Sequence, residues 1–321
     1  MNNLVIIRIK RRAMKKFTNE NLYEIIDYLK LSLESDNKVS IEVLNPDCST
    51  NSYCGELIDV DNTVYKYRGY KDWTDLAQKL FCKILTPKIK SSNTIELVFK
   101  KLNTEDSFHN IKINDKEKYG VDSKFYSINK NEQPEILLTY LNSLKNVKIE
   151  EKKRVLNLGI NNGDEFILIK QYFNSFKNTD FVGIDYCSSA IEEAKSIFID
   201  DKNVELINFD IKEIDKLHLG KFDLIISIGT FQSSNLEFNK TFMNIVQNYL
   251  KKDGSMILGF PNSRWIDGEI IYGAKAANYS FPELSVLFKD AYFCKKYLQQ
   301  KKFRVTLTGQ YYIFLTATSI R

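Results

Sequence analysis

The feature that most narrows what this chain can fold into is the order of its apolar segments after residue 153. "RVLNL" (154–158), "DFVGID" (180–185), "VELINF" (204–209), "FDLIISIG" (222–229) and "SMILGF" (255–260) are short apolar runs with helical stretches or turns between them. Strands this apolar, alternating with helices, describe a parallel sheet covered on both faces. The chain then ends in "FRVTLTGQYYIFLTAT" (303–318), two strands joined at Gly309-Gln310. Two residues cannot carry a parallel crossover, so this last pair must be antiparallel. The expected fold class is α/β: a doubly wound, mostly parallel seven-stranded sheet ending in an antiparallel hairpin, preceded by a small α+β domain.

That smaller domain is read from the first part of the chain. "TNENLYEIIDYLKLSLE" (18–34) has Leu22, Ile25, Ile26, Leu29 and Leu33 at helical spacing. "KVSIEVL" (38–44), "CGELIDV" (54–60) and "NTVYKYR" (62–68) read as strands, the last two as a hairpin around Asp61-Asn62. "WTDLAQKLFCKIL" (73–85) reads as an amphipathic helix stopped by Pro87, and "NTIELVFKKL" (93–102) as a further strand. The expected division is 1–120 as an accessory or substrate domain, 121–150 as linker and leading helix ("QPEILLTYLNSL", 133–144), and 151–321 as the sheet domain. Within the last, Ser189 and Glu192 of "SSAIEEAKSIF" suggest a capping box, with Ile191, Ala194 and Phe198 on one face.

Charge is uneven. The total is +5, yet Arg8, Lys10, Arg11, Arg12, Lys15 and Lys16 supply six positive charges before any acid. Removing those six leaves −1, so the body offers no general attraction to a phosphate backbone. Nucleic acid is therefore expected to bind only through this basic arm, residues 1–16, which otherwise reads as a loose terminus. The short apolar run precedes the basic cluster, the reverse of a secretory signal. Met14 offers a second possible start. No apolar run reaches the ~20 residues of a membrane span. The expected location is cytoplasmic, without a membrane. Cys48, Cys54, Cys82, Cys187 and Cys294 form no CxxC pair, and the only histidines are His109 and His218. No zinc-ligand spacing results, so no metal is expected.

In a doubly wound sheet, ligands bind outside the carboxyl ends of the strands. Several candidate residues fall there. The turn Gly159-Ile160-Asn161-Asn162-Gly163 follows the first strand. Glycine tolerates positive φ and close approach of a ligand, and asparagine is the next most tolerant residue. Asp185 ends the second strand, at a spacing from the loop that suits a carboxylate accepting from ribose hydroxyls. Asp210 and Ile211 end the third, an acid and an aliphatic side chain suited to an adenine. The insertion "PNSRWIDGEIIYGAKAANYS" (261–280) carries Arg264, Trp265, Tyr272, Lys275 and Tyr279. Insertions at this end commonly form a substrate pocket, and Tyr272, Lys275 and Tyr279 are the substrate-side candidates.

Taken in order, "VLNLGINNG", "VGIDYCSSAIEEAK", "VELINFDI", "FDLIISIGTFQ", "YLKKDGSMILGFPN" and the closing hairpin resemble the successive motifs of class I S-adenosylmethionine-dependent methyltransferases. The resemblance covers just over half the chain. It implies S-adenosylmethionine as cofactor, in-line methyl transfer from its sulfonium, and a cofactor site comprising Asn157, Gly159, Asn161, Gly163, Asp185, Tyr186, Asp210, Ile211 and Ser227. Two departures stand out. Asn157 replaces the family's usual acid, which helps hold the methionine amine, and Asn161 replaces the middle glycine. Weaker cofactor binding is the expected consequence. "SIGTFQSS" is not the N/D-P-P-Y/F loop of enzymes acting on adenine or glutamine amino groups. Asp223, at the far end of its strand, reads as structural. The acceptor is expected to be a small molecule or protein. Two alternatives stay open: a non-catalytic binding protein on the same fold, motivated by the two asparagines, and a nucleotide-dependent dehydrogenase, which the terminal hairpin fits poorly.

Overall fold

In the computed structural model, residues 14–106, 117, 119–232, 236–275, 282, 283 and 285–320 are described. The chain divides into two compact units, residues 1–106 with 266–269, and residues 107–265 with 270–321. Most of the basic arm lies outside the described residues.

The first unit runs β1 (Lys15–Lys16), α1 (Leu22–Ser35), β2 (Lys38–Leu44), β3 (Leu57–Val60), β4 (Thr63–Lys66), α2 (Tyr70–Lys79), β5 (Cys82–Ile89) and β6 (Thr94–Lys101). Four strands form one sheet in the order β1-β2-β6-β5. Helix α1 starts where the Asn21 N–H donates to the Glu24 carboxylate (2.7 Å). Its Ile25, Leu29 and Leu33 pack with Ile41, Leu97 and Phe99 of the sheet and with Trp73 of α2. Strands β3 and β4 pair as a separate hairpin across Asp61 (φ 52°) and Asn62 (φ 60°), the turn that this dipeptide suggests.

One expectation is corrected here. The helix expected over 73–85 and stopped by Pro87 occupies Tyr70–Lys79 and stops earlier. Phe81 adopts φ 52°, which ends the helix, and residues 82–89 become strand. Proline is tolerated there because β5 is the sheet edge and its register against β6 shifts between Leu85 and Lys88.

The second unit contains α3 (Pro134–Asn146), β7 (Arg154–Leu158), α4 (Asp164–Tyr172), β8 (Asp180–Asp185), α5 (Ser188–Ile197), β9 (Val204–Asn208), β10 (Phe222–Ile228), α6 (Phe238–Asn244), β11 (Leu250–Pro261), β12 (Ser263–Ile266), β13 (Glu269–Tyr272), β14 (Ala274–Lys275), β15 (Pro282–Glu283), α7 (Ser285–Gln300), β16 (Phe303–Thr308) and β17 (Tyr312–Ser319); the turn between β12 and β13 groups with the first unit. Seven strands form one sheet in the order β16-β17-β11-β10-β7-β8-β9. Strands β11, β10, β7, β8 and β9 run parallel, and β17 is antiparallel to β11 and to β16. Successive residues of β7 serve opposite faces, as strand geometry requires. Leu156 and Leu158 join the core that includes Ala291, Cys294 and Leu298 of α7, whereas Val155 joins the core of α3, α4 and α5. This is the doubly wound sheet with a closing hairpin that the apolar pattern implies. Strand β11 is longer than "SMILGF" suggests. It starts at Leu250, paired with Phe222, and absorbs the extra residues in a register shift.

Asp223 ties three strands at the end of the sheet away from the loops. Its carboxylate accepts from the N–H groups of Lys153 (3.2 Å) and Arg154 (2.9 Å) and pairs with Lys251 (2.8 Å). The capping box expected at Ser189 and Glu192 does not form. Cys187 is the cap residue, and the Ser189 hydroxyl donates instead to the Glu117 carboxylate. That bond, with the Cys187 thiol and nearby backbone N–H groups, holds the Glu117 carboxyl below the usual range. The start of α5 is thus capped by a carboxylate from outside the helix.

Candidate functional site

Beyond the carboxyl ends of the parallel strands lies an open cleft, within the second unit. Its first wall is the loop after β7. Gly159 has φ +77°, and a Cβ there would stand 1.9 Å from the Thr230 Oγ1. Thr230 is itself fixed, donating to the Leu158 carbonyl (2.9 Å). Asn161 has φ +48°, the left-handed conformation that asparagine tolerates. Its N–H donates to the Asp185 carboxylate (2.9 Å) and its side-chain amide to the Tyr119 carbonyl (2.9 Å). Gly163 (φ +97°) caps α4, where a Cβ would meet the Phe198 ring at 2.6 Å.

Asp185 forms the next wall. It is 8% exposed and also accepts from the Cys187 N–H (2.9 Å). Burial pushes its carboxyl up against these stabilising backbone bonds. The Tyr186 N–H also donates to this carboxylate, and a carboxylate's two oxygens have about four acceptor sites, so capacity remains for a ligand. Asp210 accepts from the Lys212 N–H (2.9 Å) at the start of a short turn, and Ile211 beside it is buried.

Of the residues selected from sequence, Gly159, Asn161, Asp185, Tyr186, Asp210 and Ile211 line this cleft. Asn157, Gly163 and Ser227 lie behind its surface. The Ser227 hydroxyl donates to the Leu158 carbonyl (3.2 Å). Asn157 donates to the Glu165 carboxylate (3.4 Å), and its carbonyl oxygen is buried without a partner. Glu165 is a group that sequence reading passed over. It is buried on the first turn of α4, and that burial pushes its carboxyl to about 7 despite the nearby Lys130 ammonium.

The other side of the cleft differs from expectation in detail. The end of β11 contributes Pro261, and the insertion after it Ser263, Arg264 and Trp265. Burial lowers the Arg264 pKa. Tyr272 instead stands edge-on to Tyr311, with centroids 6.3 Å apart. Lys275 lies in β14, whose backbone pairs with Pro282, and Tyr279 lies outside the described residues. Tyr119, Phe125 and Lys130, from the polar stretch before α3, complete the lining with Tyr312 of β17. No periodicity marks that stretch in the sequence, and only tertiary folding brings it to the cleft. Among the described residues, no group of three His, Cys, Asp or Glu could hold a metal, and no helix is long and apolar enough to cross a membrane.

The donor and acceptor set fits an adenosine carrying an amino-acid tail. Asp185 offers acceptors for a vicinal diol, Asp210 an acceptor for an exocyclic amine, and Ile211 an apolar face. Behind this lining, the Asn157 side-chain oxygen is a buried acceptor without a partner. Residues 149–304 match the family model described as a methyltransferase domain. No curated protein matches the sequence. Among solved structures, the N-terminal domain of EvdMO1 with SAH bound is 14% identical, over 56% of this chain and 79% of that one, with a TM-score of 0.38. Aeropyrum pernix fibrillarin with natively bound S-adenosyl-L-methionine is 12% identical, over 56% and 74%, with a TM-score of 0.38. TehB from Haemophilus influenzae is 12% identical, over 71% and 70%, with a TM-score of 0.39. Likenesses of this degree say nothing of substrate.

Proposed function

We propose that the chain, whose residues 149–304 match the methyltransferase-domain model, is a class I S-adenosylmethionine-dependent methyltransferase that methylates a small molecule or a protein side chain at the cleft above β7–β11. The observation that carries this reading is the convergence of Gly159, Asn161, Asp185 and Asp210 with Arg264, Trp265 and Tyr312 in one cavity.

Asp185 accepts from the ribose hydroxyls, held in place by the Asn161 and Cys187 N–H groups. Asp210 takes the adenine amine and Ile211 packs on the ring. When bound, S-adenosylmethionine supplies a methyl group already activated for attack. In the sheet order, the tips of β8 and β9 lie on one side of β7, and those of β10, β11 and β17 on the other. An acceptor therefore enters past Thr230, Pro261, Trp265 and Tyr312. These residues orient it so that its nucleophile stands in line with the methyl, at ~3–3.5 Å. Apolar lining excludes water from that approach. Residues 1–120 are assigned to selecting or holding the acceptor.

The test is transfer of label from methyl-labelled S-adenosylmethionine into a fractionated cell extract. Label is expected in the small-molecule or protein fraction. Label found in the RNA fraction instead would overturn the acceptor assignment.

A further inference from the structure

Lys130 lines the cleft and is half-buried there. Its ammonium lies over the faces of Phe125 (5.0 Å to the centroid) and Tyr312 (5.8 Å). Two carboxylates on the first turn of α4 act on it, those of Asp164 and Glu165. The adjacent Asn131 amide donates to the Asp164 carbonyl (3.4 Å), which fixes the segment against that turn. Helix α4 follows β7, and Tyr312 begins β17. In the sheet order Lys130 therefore sits across β7 from Asp185 and Asp210, the carboxylates at the tips of β8 and β9. A ligand with its diol on Asp185 and its base on Asp210 directs its remaining end toward Lys130.

That end of S-adenosylmethionine is a zwitterion, with a carboxylate and an ammonium on one carbon. We infer that Lys130 binds the α-carboxylate of the cofactor, with the aromatic faces of Phe125 and Tyr312 and the buried Glu165 keeping its ammonium in place. The inference rests on the cleft being the cofactor site.

In this corner Lys130 is the cation that lines the cleft. Behind it lie Glu165 and the buried side-chain oxygen of Asn157, joined through the Asn157 amide. The groups facing Glu165 are Lys130, Asp164 beside it, Asn157 on β7 and Tyr140 on α3. Burial works against the Lys130 charge, but Tyr312, Glu165, Asp164 and Tyr119 outweigh it, so its pKa is raised and the side chain stays an ammonium. An ammonium flanked by aromatic faces is attracted to them without consuming its hydrogen bonds. Among the described residues it makes no close ion pair, so its donors remain available to an incoming carboxylate.

The test compares two ligands that share the nucleoside thioether and differ at the amino-acid end: S-adenosylhomocysteine and 5′-methylthioadenosine. Each is titrated calorimetrically into wild type, Lys130→Gln, Lys130→Arg and Asp185→Ala. A charge-assisted contact in a half-buried cleft is expected to be worth about 10- to 100-fold in affinity. The expected result is that loss in Lys130→Gln for S-adenosylhomocysteine, partial retention in Lys130→Arg, and an unchanged affinity for 5′-methylthioadenosine. The second ligand also reports that the variants are folded. Equal losses for both ligands, or none for either, would overturn the role of Lys130. Wild type that binds both ligands, with both lost in Asp185→Ala but neither in Lys130→Gln, would refute only this inference. Wild type that binds neither would refute the cofactor site and this inference with it.

Discussion

Gly159 and Glu165 show how closely single residues are constrained around the loop after β7. At Gly159 the backbone has φ +77° and the space a methyl needs is already taken by Thr230. Gly159→Ala combines backbone strain with overpacking, and about 2–4 kcal/mol of stability should be lost in urea unfolding. Glu165 makes a pH-dependent contribution of defined sign. Its carboxyl rises from 4.5 to about 7 on folding. A raised carboxyl favours the folded state least when ionised, so stability falls as pH rises from about 4.5 through 7 and is level above that. Glu165→Gln should therefore raise the melting temperature at pH 8, by the equivalent of roughly 3 kcal/mol at most, and have little effect at pH 4. Equal shifts at both pH values would contradict this sign. The positive φ of Asn161 was legible in the sequence because asparagine tolerates it. Glu165 and Lys130 were not legible, because nothing in their local spacing shows that Asn157 and Tyr312 face them.

Elements were legible where periodicity and turn chemistry agree, and misread where tertiary pairing overrides them. The five apolar strands and the closing hairpin follow from composition and a turn too short for a crossover. Residues 80–85 continue a helical pattern, yet pairing with β6 claims them for an edge strand that tolerates Pro87. The Ser189-Glu192 pair has the spacing of a capping box, but Glu117, far away in sequence, takes the serine hydroxyl. Asp223 was read correctly from its position at the start of β10. It satisfies two N–H groups and an ammonium at the end of the sheet opposite the cleft. Asp223→Ala should accordingly cost about 1–3 kcal/mol of stability. The affinity of the folded protein for S-adenosylhomocysteine should stay unchanged, a split that melting and titration of one preparation would reveal.

At the scale of the whole molecule, the apolar interior divides as the chain does. One core belongs to residues 17–99, and the two faces of the seven-stranded sheet hold the others. The cleft and every cofactor candidate belong to the second unit. Ligand binding stabilises only the cooperative unit that holds the site. Calorimetric melting with saturating S-adenosylhomocysteine should therefore shift the transition of residues 107–321 upward and leave that of the first unit in place. A common shift of both would show that they unfold together. The central claim is that Asp185 holds the cofactor at the tip of β8. The most direct measurement is calorimetric titration of S-adenosylhomocysteine into wild type and into Asp185→Ala. Micromolar affinity in wild type, lost in the variant, is the expected result. No binding to wild type, or equal binding to both proteins, would contradict it.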